Sequence, residues 1–311
     1  MDGRVGAFLW TRNVFSQGYP FVEAIASFLP IVNSIYILDS SDDGSLEILK
    51  KIERLTNKVH IARLGWSDTD RFGSMLRKHF RAARNLVKDE EYVFYLQANE
   101  VLHEKDRDYL RRLPSDYPKV LSFALPYFQY YRYFLLTQEF RVRFFRNDPY
   151  FLPIEDAWTA GISPSFAIKE ILNTLLRLKI KDFIEDIYFA VSSKYVTFDR
   201  RGTSKTLYLP MPIFRYYAIS STNLLLKLES HRKMMRSNMH LDSMIAKLKN
   251  TNTTEIDIVK SFFEDTSGTS WPIGPSTQLM KSSDHLLIMQ DALKMDKYSI
   301  REELFDMIAR T

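Results

Sequence analysis

The stretch ILDSSDDGSLEILKKI, residues 37–52, decides how the rest of the chain is read. It enters from a short apolar run that begins at Ser34 and closes on Asp39, turns through small polar residues, and opens at Gly44-Ser45 into apolar residues at helical spacing. A buried strand that passes through a polar turn into a helix is half of a β-α-β crossover, the unit from which parallel sheets are built.

The neighbouring segments repeat that unit. Short, nearly continuous apolar runs at Val5–Trp10, Ser34–Asp39, Val59–Leu64, Tyr92–Gln97 and Val120–Pro126 read as strands covered by helices on both faces. Helical patterns separate them over 20–29, opened by Pro20 and stopped by Pro30, then over 45–56, 71–88 and 104–113. In the third, Phe72, Leu76, His79, Ala83 and Leu86 form one apolar stripe. The order predicts an α/β fold with a mainly parallel sheet flanked by helices. In open sheets of this kind ligands bind outside the carboxyl ends of the strands. Here those ends carry Thr11-Arg12-Asn13, Asp39 through Gly44, Trp66-Ser67-Asp68, and Gln97-Ala98-Asn99-Glu100.

Beyond residue 130 the pattern changes. EFRVRFFRND (139–148) reads as a further strand, FLPIEDAWTAG (151–161) as a loop, and 164–190, 220–250 and 253–265 as helices, with SGTSWPIGPS (267–276) as a loop. The expectation is a core over 1–160 that holds the site and a mostly helical C-terminal extension over 161–311, packed on the core on its acceptor side.

Composition excludes several classes. With 311 residues, 45% hydrophobic and 26% charged, the chain is of ordinary globular type and not disordered. It has no cysteine, so disulfides and thiolate metal sites are excluded and a cytoplasmic location is expected. The opening MDGRVGAFLWTRN is broken by Thr11 and Arg12 too soon for a signal peptide or a membrane span. A net charge of +5 suits nucleic acid, anionic lipid or a phosphate-bearing ligand. The charges are interspersed and no nucleic-acid module is recognised, so nucleic acid is not expected as a partner. Lys227, Arg232, Lys233 and Arg236 lie close to Leu224, Leu225, Leu228 and Met235, which suits either peripheral contact with a membrane or a packed helix with a solvated basic edge. The aromatic runs YFQYYRYF (127–134) and IFRYYAIS (213–220) favour buried strands over an acceptor cleft. No G-x-G-x-x-G follows the first strand, and G-x-x-x-x-G-K-[ST], G-x-S-x-G and H-E-x-x-H are missing, which removes dehydrogenase, P-loop and hydrolase readings.

Four segments, in order, carry a family likeness: WTRNV (10–14), ILDSSDDGS (37–45), ARNLVKDEEYVFYLQANEVLHEKD (83–106), and FRVRFFRND (140–148) followed by EDAW (155–158). Together they resemble the family 2 glycosyltransferases of GT-A fold, in the subgroup with an L-Q-A-D-E-like motif. The resemblance implies transfer of a sugar, with inversion, from a nucleoside-diphosphate donor to a hydroxyl on a glycan, lipid or protein acceptor. It places Thr11, Arg12, Asn13, Asp39, Asp42, Asp43, Gly44, Arg84, Gln97 and Asn99 at the donor site. Asp39 would hold the base or ribose, and Arg12 and Arg84 the diphosphate. Taken alone, Asp42 and Asp43 also suit the positive end of a helix dipole. The family's D-x-D motif holds a divalent cation, Mn²⁺ or Mg²⁺. Here Gln97 and Asn99 occupy its acidic positions, which leaves Asn99 and Glu100 as the metal candidates, a weaker set because these ions prefer anionic oxygen. Asp156 is the implied general base, with Glu155 its nearest rival and Asp148 next. The alternative is a GT-A fold that has lost catalysis and binds a nucleotide sugar or glycan.

Overall fold

The computed structural model describes residues 4–67, 72–148, 151–154, 159–162, 206–234, 239–249, 287–295 and 297–311. Strands β1 (Val5–Thr11), β2 (Ser34–Asp39), β3 (Val59–Arg63) and β4 (Tyr92–Tyr95) run parallel in the order β3-β2-β1-β4. Helices α1 (Phe21–Phe28), α2 (Ser45–Leu55) and α3 (Phe72–Leu86) connect them. These elements match the predicted strand–helix alternation because each is declared locally, by an apolar run, a polar turn and a helical stripe. The sheet continues through β5 (Glu100–Leu102), β6 (Ser122–Tyr131), β7 (Phe134–Arg146), β10 (Thr206–Tyr208) and β11 (Ile213–Ala218), in the order β4-β7-β6-β11-β5 with β10 beside β6. Helix α4 (Arg107–Asp116) follows β5, and β8 (Phe151–Ile154) pairs with β9 (Thr159–Ile162) in a separate hairpin. The molecule is a mixed α/β protein with helices flanking one nine-stranded sheet.

Two expectations change. The run Val120–Pro126 does not extend the parallel set beside β4, because β6 folds back antiparallel on β7 and β7 enters between them. The aromatic run 127–134 thus contains a tight hairpin turn, with Arg132 at φ 51°. A tight turn suffices for antiparallel strands, whereas a parallel neighbour needs a crossover. The boundary at residue 160 does not divide the sheet either, since β10 and β11 come from the half read as helical extension. The helical segments 164–190 and 253–265 and the loop 267–276 lie outside the described residues.

Helices α5 (Ser221–Met234) and α6 (Met239–Lys249) follow β11. Leu224 and Leu228 of α5 are buried with Tyr131, Leu136 and Tyr217. Lys227 is 1% exposed; its Nζ donates to the Tyr217 carbonyl at 2.9 Å and stands over the rings of Tyr217 and Tyr19 at 3.6 and 4.9 Å. Arg232 pairs with Asp242 of α6 at 2.5 Å. Lys227, Leu224 and Leu228 therefore face the core and not a lipid surface, because the aromatic side of the sheet takes the apolar stripe that a membrane would otherwise have covered. Among the described residues no helix is long and apolar enough to cross a membrane.

The C-terminal segment returns to the first helix. Glu23 of α1 is fully buried; its Oε2 accepts from the Tyr298 hydroxyl at 2.7 Å, and Arg301 Nη2 stands 3.7 Å from Oε1. Burial pushes this carboxyl up to about 7 from its ordinary 4.5, against the opposing pull of Tyr298 and Arg301. A folded-state pKa above the unfolded one means that between pH 4.5 and 7 the folded protein holds the extra proton, so stability falls as pH rises through that window. The full loss is at most about 3 kcal/mol. Glu23→Gln should therefore raise the thermal midpoint at pH 8 and leave it nearly unchanged at pH 4.5, and an equal shift at both pH values would contradict the assignment.

Candidate functional site

The carboxyl ends of β1, β2 and β3 meet in register, with Thr11 beside Asp39 and Asp39 beside Arg63. Asp39 is the tie between them. Its Oδ1 accepts from Thr11 Oγ1 at 2.8 Å and from Ser41 Oγ at 2.6 Å, while Oδ2 accepts from Arg63 Nη1 and from the Ser41 amide at 3.3 Å. Arg63 also donates to the Ser41 carbonyl at 2.9 Å. Asp39 is 0% exposed, as a carboxylate at a covered strand end can be only when hydrogen-bonded and paired. The expectation that Asp39 touches the base or ribose is thus not met in this arrangement, since both oxygens are committed within the protein. The group it presents to solvent is Arg63, whose side chain is 50% exposed. Arg63 was not among the sequence candidates; its position, last in β3 and level with Asp39, was the available signal.

The loop after β1 is laced to the loop after β2. Asn13, at φ 52°, donates Nδ2 to Asp42 Oδ1 at 2.5 Å and accepts the Asp42 amide on its own Oδ1 at 2.9 Å, while its own amide reaches Ser41 Oγ at 2.8 Å. Asp43 accepts the amides of Ser45 and Ser16, at 2.9 and 2.8 Å. Burial alone would raise the Asp43 carboxyl, but these hydrogen bonds together hold it below its ordinary range. The Ser45 contact is a local one, two residues along the chain, at a helix whose N-cap Gly44 has no side-chain cap, and the Ser16 contact is long-range. Gly44 lies 3.6 Å, measured from an added Cβ, from the Phe15 ring. Gly18 needs its left-handed φ of 67°, and a Cβ there would lie 1.6 Å from Asn223 Nδ2 of α5.

Arg12 lies over the Trp66 ring at 4.4 Å and donates to the Ser40 carbonyl at 3.2 Å, with Asp42 at 3.6 Å. Beneath this stack are Trp10 and His79, the latter 5.3 Å from Trp66. His79 meets the Met75 carbonyl and Ser40 Oγ, both at 2.9 Å. Burial pushes it below its ordinary range. The sequence placed His79 on the apolar stripe of α3, and its link to the Asp39 loop emerges only in three dimensions.

The loop after β4 is pinned from below. Asn99, nearly fully buried, donates Nδ2 to the Tyr216 carbonyl at 2.9 Å and accepts the Tyr216 amide on its carbonyl at 3.0 Å, which clamps it to β11. Glu100 is 0% exposed; Oε1 accepts from Tyr127 OH at 2.6 Å and from Arg143 Nη2 and Nε at 2.7 and 3.1 Å, and Oε2 from the Gln97 amide at 3.1 Å. A divalent cation needs accessible anionic oxygen. The amide of Asn99 is turned to a backbone carbonyl and the carboxylate of Glu100 is held by a guanidinium, so neither fits the metal role expected of it. Among the described residues no three histidine, aspartate or glutamate side chains come together as a metal site.

Arg84 lies elsewhere. It donates Nε to Asn147 Oδ1 at 3.3 Å, Nη1 to the Phe151 carbonyl at 2.6 Å, and Nη2 to the Asp148 carbonyl. Asn147 in turn donates to the carbonyls of Val87 and Glu90 at 2.6 and 3.1 Å. Arg146 pairs with Tyr92, the first residue of β4, so this network, with Asp148 in it, occupies the amino-terminal edge of the sheet, opposite Asp39. Burial lowers Arg84 to about 10, with Asp148 acting in the other direction. Arg84 therefore clamps α3 to the turn after β7 and does not join the loops at the carboxyl edge. Glu155 and Asp156 lie outside the described residues.

No family model matches the chain, and no curated protein matches its sequence. Solved structures similar to it include three of S. aureus TarS. S. aureus TarS 1-349 in complex with UDP-GlcNAc is 16% identical over 41% of this chain and 34% of its own, with a TM-score of 0.31. The same protein in complex with UDP is 11% identical over 79% of this chain and 71% of its own, with a TM-score of 0.40. A further TarS structure is 12% identical over 79% of this chain and 43% of its own, with a TM-score of 0.39. At these identities and TM-scores the likeness carries no weight for this chain's activity, which has to be argued from its own residues.

Proposed function

We propose that this chain is a glycosyltransferase that moves a sugar from a nucleoside-diphosphate donor to an acceptor hydroxyl. One observation carries the proposal: the segments WTRNV, DSSDDGS and LQANE, which bear the family resemblance, are far apart in sequence yet lie at the carboxyl ends of the adjacent parallel strands β1, β2 and β4, where open α/β sheets bind ligands. The donor would lie over the Arg12–Trp66 stack and the exposed guanidinium of Arg63, with Asp39 acting from beneath by holding Arg63, Thr11 and Ser41 in place. The acceptor proton needs a carboxylate on the face opposite the leaving group. Asp156, with Glu155 as its rival, is the proposed base on the sequence resemblance alone, and inversion follows from that geometry.

A second reading, a binding module without turnover, is favoured by the commitment of Asn99 and Glu100 to internal partners. Calorimetric titration with uridine, guanosine, cytidine and thymidine diphosphates tests the shared part. One of them should bind, and Arg63→Met should weaken it by about 1.5–3 kcal/mol, the worth of a lost charge-assisted hydrogen bond, in a variant whose fold is checked by circular dichroism because the change also takes from buried Asp39 its cationic partner. Failure of all four to bind would reject the enzyme and the nucleotide-sugar module alike. Release of nucleoside diphosphate from the matching donor sugar then separates enzyme from module.

A further inference from the structure

The amino-terminal ends of β1, β2 and β3, at the edge opposite Asp39, border a cavity of about 330 Å³. Four separate stretches of chain build its wall: Val5 at the start of β1, Pro30 to Asn33 between α1 and β2, Asn57 and Lys58 between α2 and β3, and Arg111 of α4. Two of these residues are cationic and none is acidic. With seven residues at about 3.3 Å each, β1 sets the cavity about 20 Å from the Thr11–Asp39 edge.

The polar groups of this wall are donors. Asn33 Oδ1 accepts the Val5 amide at 2.9 Å, which leaves its Nδ2 group to donate, and Asn57 adds a second side-chain amide. Lys58 donates one of its ammonium protons to the Leu29 carbonyl at 3.1 Å, at the end of α1, where the helix dipole also favours a cation. That contact accounts for Lys58. It does not account for Arg111, which is exposed, lines the same cavity and has no ion pair or hydrogen bond among the described residues. Burial first, and Arg111 second, hold the Lys58 ammonium below its ordinary range, so the two cations are near enough to repel. Like charges that share a cavity with no carboxylate in its lining are relieved when an anion enters between them.

We propose that this cavity binds a phosphate group, free or as the ester end of a small soluble molecule, between Arg111 and Lys58, with the Asn33 and Asn57 amides donating beside them. The guanidinium fork takes two phosphate oxygens, and the ammonium adds a compact point charge. The volume lies at the small end of ligand cavities, which run from about 300 to 1,000 Å³, and so fits a phosphate with at most a small organic group. The site is independent of the donor-site reading, since it uses the opposite edge of the sheet and none of the residues assigned to the donor. Bound phosphate braces α4 against the turns that lead into β2 and β3.

The test is calorimetric titration of the full chain with inorganic phosphate and, in a second arm, with phenyl phosphate, at an ionic strength held constant with chloride. Binding should saturate in the wild type, and Arg111→Met should weaken it at least about tenfold, the equivalent of one charge-assisted hydrogen bond. Arg111 is exposed, so this variant should fold, and circular dichroism checks that it does. Lys58→Gln should weaken binding as well, and Arg111→Lys, which keeps the charge and loses the fork, should recover part of the loss. Arg63→Met, at the far edge of the sheet, should leave phosphate binding unchanged. Tighter binding of phenyl phosphate identifies an ester as the ligand, and equal or weaker binding identifies the free ion. The proposal is overturned if neither compound binds saturably, if binding is unchanged in Arg111→Met, or if it is lost in a folded Arg63→Met, which would put the phosphate at the donor edge.

Discussion

Glu100→Ala is expected to destabilise the protein by about 3–5 kcal/mol, measured by urea unfolding in EDTA. Glu100 and Arg143 are both 0% exposed and pair at 2.7 Å. Removing one partner of a buried ion pair strands the other, and the cost is that of an uncompensated buried charge. Tyr127 and the Gln97 amide lose their acceptor as well. Replacing both partners with apolar residues of similar volume, Glu100→Leu with Arg143→Met, should recover most of the loss, since burying neither charge is often as good as burying both. A residue reserved for a metal would behave differently: its removal would cost little without the ion and would act only when Mn²⁺ is present. A loss below about 1 kcal/mol in EDTA would therefore return Glu100 to the metal role and break the internal pairing described here.

Asp39→Ala should cost at least about 3 kcal/mol and also remove nucleoside-diphosphate binding. The Thr11 and Ser41 hydroxyls and the Ser41 amide would lose a buried acceptor, at about 1–3 kcal/mol for each group left unsatisfied, whereas Arg63 is half exposed and water can replace its partner. Binding should fall because three strand ends are released together. A direct ligand contact predicts another pattern, with affinity lost and the unfolding midpoint unchanged. That second pattern, in a folded variant, would show that Asp39 turns outward to the ligand and would discard its role as an internal tie.

Several assignments were legible in the chain because their signals are local. An apolar run closing on Asp39, followed by DSSDDG and a helical stripe, needs no distant residue to become β2, a turn and α2, and the same holds for β1, β3, β4, α1 and α3. Convergence of the loops after these strands followed from their shared direction. The aromatic runs 127–134 and 213–220 were read as strand material and became the ends of β6 and β7 and the strand β11. Partner choice was not legible. A carboxylate at a strand end looks the same in sequence whether it faces a ligand or an arginine more than twenty residues away, as Asp39 faces Arg63.

By itself, the sequence determined the α/β class, the positions of the parallel strands and their helices, and the edge at which polar loops gather, because hydrophobic periodicity and turn chemistry act over a few residues. The tertiary structure alone decided that Asp39 and Glu100 are held by Arg63 and Arg143, that Arg84 clamps the opposite edge, and that Lys227 lies between two tyrosine rings. The reason is one of desolvation: a charged side chain taken out of water must meet a compensating group, and strand register and helix packing, which join residues distant in the chain, set which group it meets.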